Sequence, residues 1–207
     1  MLVFKNIDIS REGRLLQRDL SFAVKAGQKI ALTGPSGSGK SSLLRVAMGF
    51  DRADAGAVFM DGLEVNRRTI AGLRNRFAFA PQNFHAPGNV SRAVASVFEF
   101  KANRAAAPDG FQIGAMMRDL ALSPEEEFLQ RSVADLSAGE RSRVGLAIAL
   151  LLHRPLVVMD EPTANLDDET RARVIDKLTR DDGRAMLIAT HDRILVRACD
   201  EEVALNG

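Results

Sequence analysis

Residues 32–42 read LTGPSGSGKSS and place three glycines, one lysine and a run of hydroxyl side chains between two apolar segments. The residues before this stretch predict a short buried strand, and the residues after it predict a helix that stops at Gly49. Glycines between a strand and a helix let the backbone approach a phosphate chain closely, with several N–H groups pointing at one anion. The stretch therefore predicts a phosphate-binding loop.

The spacing Gly34-x-x-x-x-Gly39-Lys40-Ser41 is the pattern of a loop that binds nucleoside triphosphates. We expect Lys40 to reach the β- and γ-phosphate oxygens and the Ser41 hydroxyl to bind the accompanying Mg²⁺. The start of the following helix adds the positive end of its dipole. The residues predicted to bind the nucleotide here are Gly34, Pro35, Ser36, Gly37, Ser38, Gly39, Lys40, Ser41 and Ser42.

The composition is that of a soluble protein with a substantial core. The 207 residues are 46% hydrophobic and carry a net charge of +1, so no nucleic-acid partner is expected. The single Cys199 excludes an internal disulfide and favours a reducing compartment. The longest apolar run, 144–152, is too short to span a bilayer, and the N-terminus lacks the features of a signal peptide. We expect a cytoplasmic protein.

The order of predicted elements indicates an α/β fold. Residues 1–82 mix antiparallel strands with a buried strand and its helix, and hairpin turns are predicted at REGR, 11–14, and at Asp61-Gly62. Residues 83–154 read as helical, with helix starts at Ser91, Ser123-Pro124 and Ser137. Residues 155–207 alternate continuous apolar strands with helices, which is typical of a mostly parallel sheet. We expect one domain, with an α/β core and antiparallel β subdomain in 1–82 and 155–207 and an inserted helical subdomain in 83–154.

Polar side chains follow three predicted strands. Asp160 and Glu161 end the strand LVVMD, where the ligands of parallel sheets bind. Asp160 is predicted to hold Mg²⁺, and Glu161 to polarise the attacking water. His191 and Gln82 end two further predicted strands, and the Gln82 amide could contact the metal or the water. Taken singly, each of these residues reads as a structural or solvated loop residue, so the interpretation depends on their combination.

The stretch DLSAGERSRV, 135–144, resembles the signature motif of the ATP-binding cassette (ABC) ATPases, and with it the other motifs fall into that family's order. The phosphate-binding loop resembles the Walker A motif, and LVVMDE resembles Walker B. The remaining motifs are the Q-loop at Gln82, the D-loop at Asn165–Asp167 and the switch histidine His191. The resemblance covers nearly the whole chain, and six motifs in one order make it specific.

The resemblance implies that two cassettes pack head to tail around two ATP molecules. One copy would bind the phosphates through Walker A, and the other would direct Ser137 and Gly139 at the γ-phosphate, with Asp167 of the D-loop also at the nucleotide. The family further implies an Mg²⁺-dependent ATPase subunit of a transporter, peripheral on the cytoplasmic face of the membrane and bound to a permease subunit. The segment 83–94, with Phe84 and Pro87, would contact that partner.

Two departures from the family pattern bear on the site. The signature has Ala138 and Glu140 where glycine and glutamine are usual. Close approach to a phosphate should survive at Ala138 if its φ is negative, and Glu140 puts an acid near the γ-phosphate that is unfavourable unless its side chain turns away toward Arg141 or Arg143. The family also stacks an aromatic side chain on adenine, but the corresponding region, ISREGRLL, has none. Arg11 falls near that place, and its guanidinium can stack on a purine.

Three alternatives remain open at this point. A soluble ABC ATPase without a transport role shares the same motifs, although such proteins usually carry two cassettes or a coiled-coil insertion. A regulatory cassette would bind ATP without hydrolysing it, but Lys40, Glu161 and His191 are all present. A small-molecule kinase with the same loop would leave the signature and His191 without roles.

Overall fold

The computed structural model describes residues 1–180 and 183–206 and divides into two compact units. The first unit comprises Met1–Phe77, Pro155–Asp160 and Asp181–Gly207, and the second comprises Ala78–Arg154 and Glu161–Arg180. Residues 161–180 thus group with the helical segment, whereas the sequence placed them in the α/β part.

The described residues form nine strands and eight α-helices. The strands are β1 (Leu2–Arg11), β2 (Arg14–Val24), β3 (Lys29–Thr33), β4 (Ala55–Met60), β5 (Leu63–Glu64), β6 (Phe77–Ala80), β7 (Leu156–Asp160), β8 (Ala185–Ala189) and β9 (Glu201–Ala204). The helices are α1 (Lys40–Ala47), α2 (Ile70–Leu73), α3 (Val90–Glu99), α4 (Gly110–Asp119), α5 (Glu126–Leu129), α6 (Ala138–Leu151), α7 (Asp168–Thr179) and α8 (Arg193–Arg197). Short 3-10 turns lie at Arg74–Arg76, Arg104–Ala106 and Val133–Asp135.

A parallel sheet forms the centre of the first unit, where its strands lie in the order β7-β8-β3-β9. All five residues of β8 are buried, as are the first four residues of β3 and of β7. Strands buried on both faces must be apolar throughout, which is the pattern that the sequence shows. Helix α1 packs against β7 and β8 through an apolar face that buries Leu43, Leu44, Val46 and Ala47. The predicted parallel core is confirmed.

An antiparallel sheet of order β2-β1-β4-β5 completes the first unit. Its two hairpin turns are those predicted: Glu12-Gly13 and Asp61-Gly62 each have positive φ at both residues. Two consecutive residues with positive φ form a turn whose twist matches that of the flanking strands. The predicted α/β fold with an antiparallel part is therefore confirmed.

The second unit is mainly helical and is built around α6. Ten of the fourteen residues of α6 are buried, and α3 and α4 pack against it. Helix α7 packs against α4, buries Val174, Ile175 and Leu178, and is joined to α4 by an ion pair of 2.7 Å between Lys177 and Asp119. These contacts explain why residues 161–180 group with the helical segment.

Two of the three predicted helix starts are wrong. Helix α3 begins at Val90 rather than after Ser91, because the Asn89 side chain accepts the Arg92 N–H and caps the helix. Helix α5 begins at Glu126, past Ser123-Pro124, with Glu125 at the cap position. The third start is right, since Ser137 caps α6.

The sequence also missed the last strand. Strand β9 pairs in parallel with β3, and its two acids, Glu201 and Glu202, are exposed at the edge of the sheet. Because β9 is an edge strand, it lacks the continuous apolar run that identified β3, β7 and β8. The sequence also predicts a helix over 167–182, followed by Gly183, and its last two residues, 181 and 182, lie outside the described residues.

The connection from β3 to α1 is a tight turn that depends on glycine. Gly34 has φ +142°, and a Cβ there would lie 2.6 Å from the Leu205 carbonyl oxygen and 2.7 Å from Ser38 Oγ. Gly37 has φ +79°, but a Cβ on it would meet nothing within 4 Å. Gly34 is therefore required both for its backbone conformation and for space, and Gly37 for its conformation alone.

This difference predicts unequal costs for the two alanine substitutions. Gly37→Ala should lower the free energy of unfolding by about 1–2 kcal/mol, the cost of a Cβ in the left-handed region. Gly34→Ala should cost a further ~1–3 kcal/mol, because its methyl group also overlaps the Leu205 carbonyl. Urea unfolding of both variants measures the difference, and equal losses would contradict the packing of Leu205 against Gly34.

Cys199 gives a second test of the first unit. Burial, reinforced by the negative charge of Asp200, raises the pKa of the Cys199 thiol from 9.0 to about 11. Because only the thiolate reacts with iodoacetamide, alkylation of the folded protein at pH 8 should be at least ~100-fold slower than in 8 M urea. Equal rates in the folded and unfolded protein would show that the thiol is neither buried nor perturbed.

Candidate functional site

The phosphate-binding loop lies between the end of β3 and the start of α1, as predicted. Lys40 is the first residue of α1, and its Nζ donates to the carbonyl oxygens of Gly34 at 2.7 Å and Pro35 at 3.1 Å. The ammonium group is thus folded back across the loop. The first N–H groups of a helix have no acceptor within the helix, so this end of α1 presents donors beside a positive charge. The loop has the geometry and charge to bind an anionic phosphate chain.

Gln17, whose role the sequence did not predict, supports the phosphate-binding loop through hydrogen bonds. The buried Gln17 of β2 uses its amide group twice, donating to the Ser38 carbonyl at 2.9 Å and to the Asn206 carbonyl at 2.7 Å. Ser38 Oγ is buried and makes no hydrogen bond within the described part of the chain. A glutamine in a strand carries no local signal of this role, because its partners are distant in sequence.

Three parallel strands, β7, β8 and β3, end in register at the sheet edge where the phosphate-binding loop begins. Asp160, the last residue of β7, is in register with Ala189 of β8, and Ala189 is in register with Leu32 of β3. The backbone N–H of Thr190 donates to the Leu32 carbonyl at 3.0 Å, which extends this alignment past β8. His191 follows directly and is exposed. The first unit therefore brings Asp160 and His191 to the same sheet edge as the phosphate-binding loop.

Glu161 follows Asp160 directly and belongs to the second unit. It is buried, with 8% of its surface exposed, and its φ of +51° lies in the left-handed region. A residue with a Cβ pays about 1–2 kcal/mol for that conformation, and such strain is concentrated at functional sites. The chain therefore places Glu161 directly after β7 at a cost in backbone energy.

Arg11 is the last residue of β1 and contacts Ser42, which follows Lys40 and Ser41 of the loop. Its Nε donates to Ser42 Oγ at 3.2 Å, and its guanidinium lies 3.5 Å from Asp51. A hydrogen bond from Arg45 is the main reason that the pKa of Asp51 lies below its ordinary value, and the charge of Arg11 adds to the effect. The half-exposed Arg11 is thus held beside α1, and its stacking on adenine stays a prediction.

The signature motif begins α6 as a reciprocal cap. Ser137 Oγ accepts the Glu140 N–H at 3.2 Å, and the Glu140 carboxylate accepts the Ser137 N–H at 2.8 Å. Ala138 is the first residue of α6 and has no positive φ, which meets the condition for close approach to a phosphate. Glu140 does not turn toward Arg141 or Arg143, because its second oxygen accepts from Arg131 at 3.0 Å.

The signature packs tightly against the D-loop within the second unit. A Cβ on Gly139 would lie 3.1 Å from Leu166 Cδ2 and 3.2 Å from the Asn165 carbonyl oxygen. Asp167 caps α7 by accepting the Thr170 N–H at 2.9 Å, and this hydrogen bond lowers the pKa of the Asp167 carboxyl. Gly139 and Asp167 are therefore close in space, although the sequence separates them by 28 residues.

The Q-loop also belongs to the second unit. Gln82 is exposed and lies two residues after β6. Phe84 is half-buried against α6, where a Cβ on Gly145 would lie 2.8 Å from the Phe84 Cβ. Pro87 is exposed. Of the two predicted contacts with a partner, Phe84 therefore packs within the unit and Pro87 is accessible.

Comparisons with known proteins agree with this arrangement. A family model described as ABC transporter matches residues 17–164. The lipoprotein-releasing system ATP-binding protein LolD of Ehrlichia ruminantium is 31% identical over 198 residues, which cover 89% of this chain and 83% of LolD. The cobalamin import ATP-binding protein BtuD of Halobacterium salinarum is 33% identical over 96% of this chain and 51% of its own length.

Solved structures support the fold. A bacterial ABC transporter cassette, MJ0796, determined as a dimer, has a TM-score of 0.84 at 24% identity and covers 99% of this chain and 94% of its own. A bacterial Atm1-family ABC exporter with ATP bound has a TM-score of 0.84 at 22% identity, over 99% of this chain and 37% of its own. With its motifs, its fold and these relatives, the chain belongs to the ABC transporter family as one of its ATP-binding cassettes.

Proposed function

We propose that this chain is the ATP-hydrolysing subunit of an ABC transporter and energises a separate transmembrane permease subunit. The observation that carries the proposal is the alignment of the phosphate-binding loop, Asp160 and His191 at one sheet edge in the first unit. Family membership and relatives named as ATP-binding proteins of lipoprotein-releasing and cobalamin-import systems support it.

The loop residues fit a nucleotide bound with Mg²⁺. When bound, Mg-ATP supplies the γ-phosphoryl group, and the metal neutralises charge on the phosphates. Lys40 exchanges its two carbonyl partners for phosphate oxygens. Ser41, Asp160 and Gln82 are the proposed metal ligands. Mg²⁺ is commonly held by one or two protein ligands, with phosphate oxygens and water completing the coordination.

Glu161 and His191 complete the catalytic group. Glu161, which directly follows β7, accepts a proton from the attacking water. The strained φ of +51° at this residue supports a functional role. His191, exposed just after β8, is the proposed contact to the γ-phosphate. Glu161 acts on the attacking water and His191 on the γ-phosphate, so both roles require a bound nucleotide.

A second copy of the chain completes each site. Ser137 caps α6, and the N-terminus of this helix attracts an anion through the N–H groups of its first turn and its dipole. Ser137 and Gly139 of one copy bind the triphosphate held by the loop of the other, and Asp167 lies at the same interface. ATP binding therefore drives head-to-tail association, and hydrolysis reverses it.

The permease contact and the location follow from the same assignment. None of the helices in the part of the chain that the structure describes is long and apolar enough to cross a membrane. From its family membership we place the chain on the cytoplasmic face of the membrane, bound to its permease through residues 83–94, where the exposed Pro87 is the apolar contact. The relatives' names include lipoprotein release and cobalamin import, which fits a cargo chosen by the permease.

Replacing the proposed base tests hydrolysis directly. Glu161→Gln should lower the Mg²⁺-dependent ATPase rate at least ~100-fold, because the amide accepts no proton from water. The exposed Glu127→Gln, which removes one carboxylate from α5, is the matched control and should keep the wild-type rate. An unchanged rate in Glu161→Gln, or no Mg²⁺-dependent ATPase in the wild type, would favour a regulatory cassette.

Arg11 provides a separate test of base recognition. Arg11→Ala should weaken binding of ATP and of ADP by the same factor, about 3–10-fold, since stacking on adenine does not involve the γ-phosphate. Binding of inorganic tripolyphosphate, which has no base, should not change. If tripolyphosphate binding falls equally, Arg11 supports the loop through Ser42 instead. The exposed Arg14→Ala, on the other arm of the same hairpin, serves as the control.

A further inference from the structure

Glu140 brings a negative charge to the end of α6 that is proposed to receive an anion. Its carboxylate is held against the first turn by the Ser137 N–H at 2.8 Å, and so cannot swing into solvent without breaking the cap. A fixed carboxylate beside an incoming triphosphate is a like-charge pair, which opposes association by an amount that salt reduces. Binding of a triphosphate at the signature motif therefore requires a cation fixed beside Glu140 that offsets its charge.

Arg131 is that cation, and its own position is fixed by three contacts. One guanidinium nitrogen donates to Glu140 at 3.0 Å, and another donates to the Asp135 carbonyl at 3.3 Å. The guanidinium also lies over the ring of the buried Phe128, 5.6 Å from its centroid. These contacts hold the positive charge of Arg131 beside the Glu140 carboxylate oxygen that does not accept the Ser137 N–H.

The two other arginines near the signature are committed to backbone carbonyls. Arg141 donates to the Leu136 carbonyl at 2.6 Å and to the Ala134 carbonyl at 3.3 Å. Arg143, which is more deeply placed, donates to the carbonyls of Leu120, Ala121 and Gly139, and its charge interacts with Glu140 only at longer range, without an ion pair. Within the described residues, Arg131 makes the ion pair of Glu140.

We propose that Arg131 is a positioning residue for the signature motif: it holds the Glu140 carboxylate in the cap and cancels its charge, so that the start of α6 can bind the triphosphate of a second copy. This inference rests on the proposed function. It predicts that Arg131 is needed for dimerisation only while Glu140 carries a charge, so removing that charge should remove the need for Arg131.

The test measures ATP-driven dimerisation in the Glu161→Gln background, in which bound ATP should not be hydrolysed because the proposed base is removed. Sedimentation velocity with saturating Mg-ATP gives the dimer dissociation constant at 50 mM and 500 mM NaCl. Arg131→Met keeps an apolar stem over Phe128 but removes the charge, and should raise this constant at least ~10-fold at low salt. The increase should shrink at high salt, where like charges are screened. Arg131→Lys, which keeps the charge, should stay within ~3-fold of the parent.

The decisive arm adds Glu140→Gln to Arg131→Met. Glutamine still accepts the Ser137 N–H but carries no charge, so the double change should restore dimerisation to within ~3-fold of the Glu161→Gln parent. Arg104→Met removes an exposed arginine elsewhere in the same unit and should have no effect. The urea midpoint of each variant confirms that it is folded.

Each outcome separates the inference from the proposed function. An Arg131→Met variant that dimerises like its parent, or a defect that Glu140→Gln does not rescue, overturns the role of Arg131 while the proposed function stands. Failure of the Glu161→Gln parent to dimerise with Mg-ATP overturns the proposed function, and the inference falls with it.

Discussion

The strand-to-helix turn after β3 is the constraint on which the rest of the first unit depends. The chain must leave a fully buried strand, turn sharply and start α1, and at Gly34 it passes within contact distance of the Leu205 carbonyl. That approach requires the C-terminal residues to lie behind the loop, where Gln17 bonds to both Ser38 and Asn206. The position of Lys40 follows from this packing, since it is the first residue of the helix that the turn begins.

In the second unit the corresponding constraint lies at the start of α6, where the polar groups in the first turn of a buried helix need hydrogen-bond partners. Ser137 and Glu140 cap α6 reciprocally, and the acid at the final signature position supplies half of that cap. The usual glutamine at that position can make the same hydrogen bond without a charge. Glu140 therefore maintains the local structure but adds an electrostatic requirement, which Arg131 meets.

The parts predicted from sequence are those with a local pattern. The phosphate-binding loop, the continuous apolar strands β3, β7 and β8, both hairpin turns and the Ser137 cap are all encoded within a few residues. Helix α3 shows the limit of this reasoning, since Asn89 and Ser91 are both good capping residues and only the contact with the Arg92 N–H decides between them.

The parts that the sequence did not predict depend on distant residues. Gln17 and Asn206 are 189 positions apart, and nothing in either segment indicates the other. Strand β9 is polar because it lies at an edge, and Arg131 was overlooked because Arg141 and Arg143 are nearer to the signature along the chain. In each case the tertiary fold, rather than a local pattern, selects the partner.

The central claim is that the glycine-rich turn binds a nucleoside triphosphate through Lys40, and isothermal titration with Mg-ATP tests it most directly. The wild type should bind one Mg-ATP per chain, and Lys40→Met should bind at least ~10-fold more weakly, because it loses a charge-assisted contact to the phosphates. Equal affinity of the two proteins, or no saturable binding by the wild type, would contradict the account.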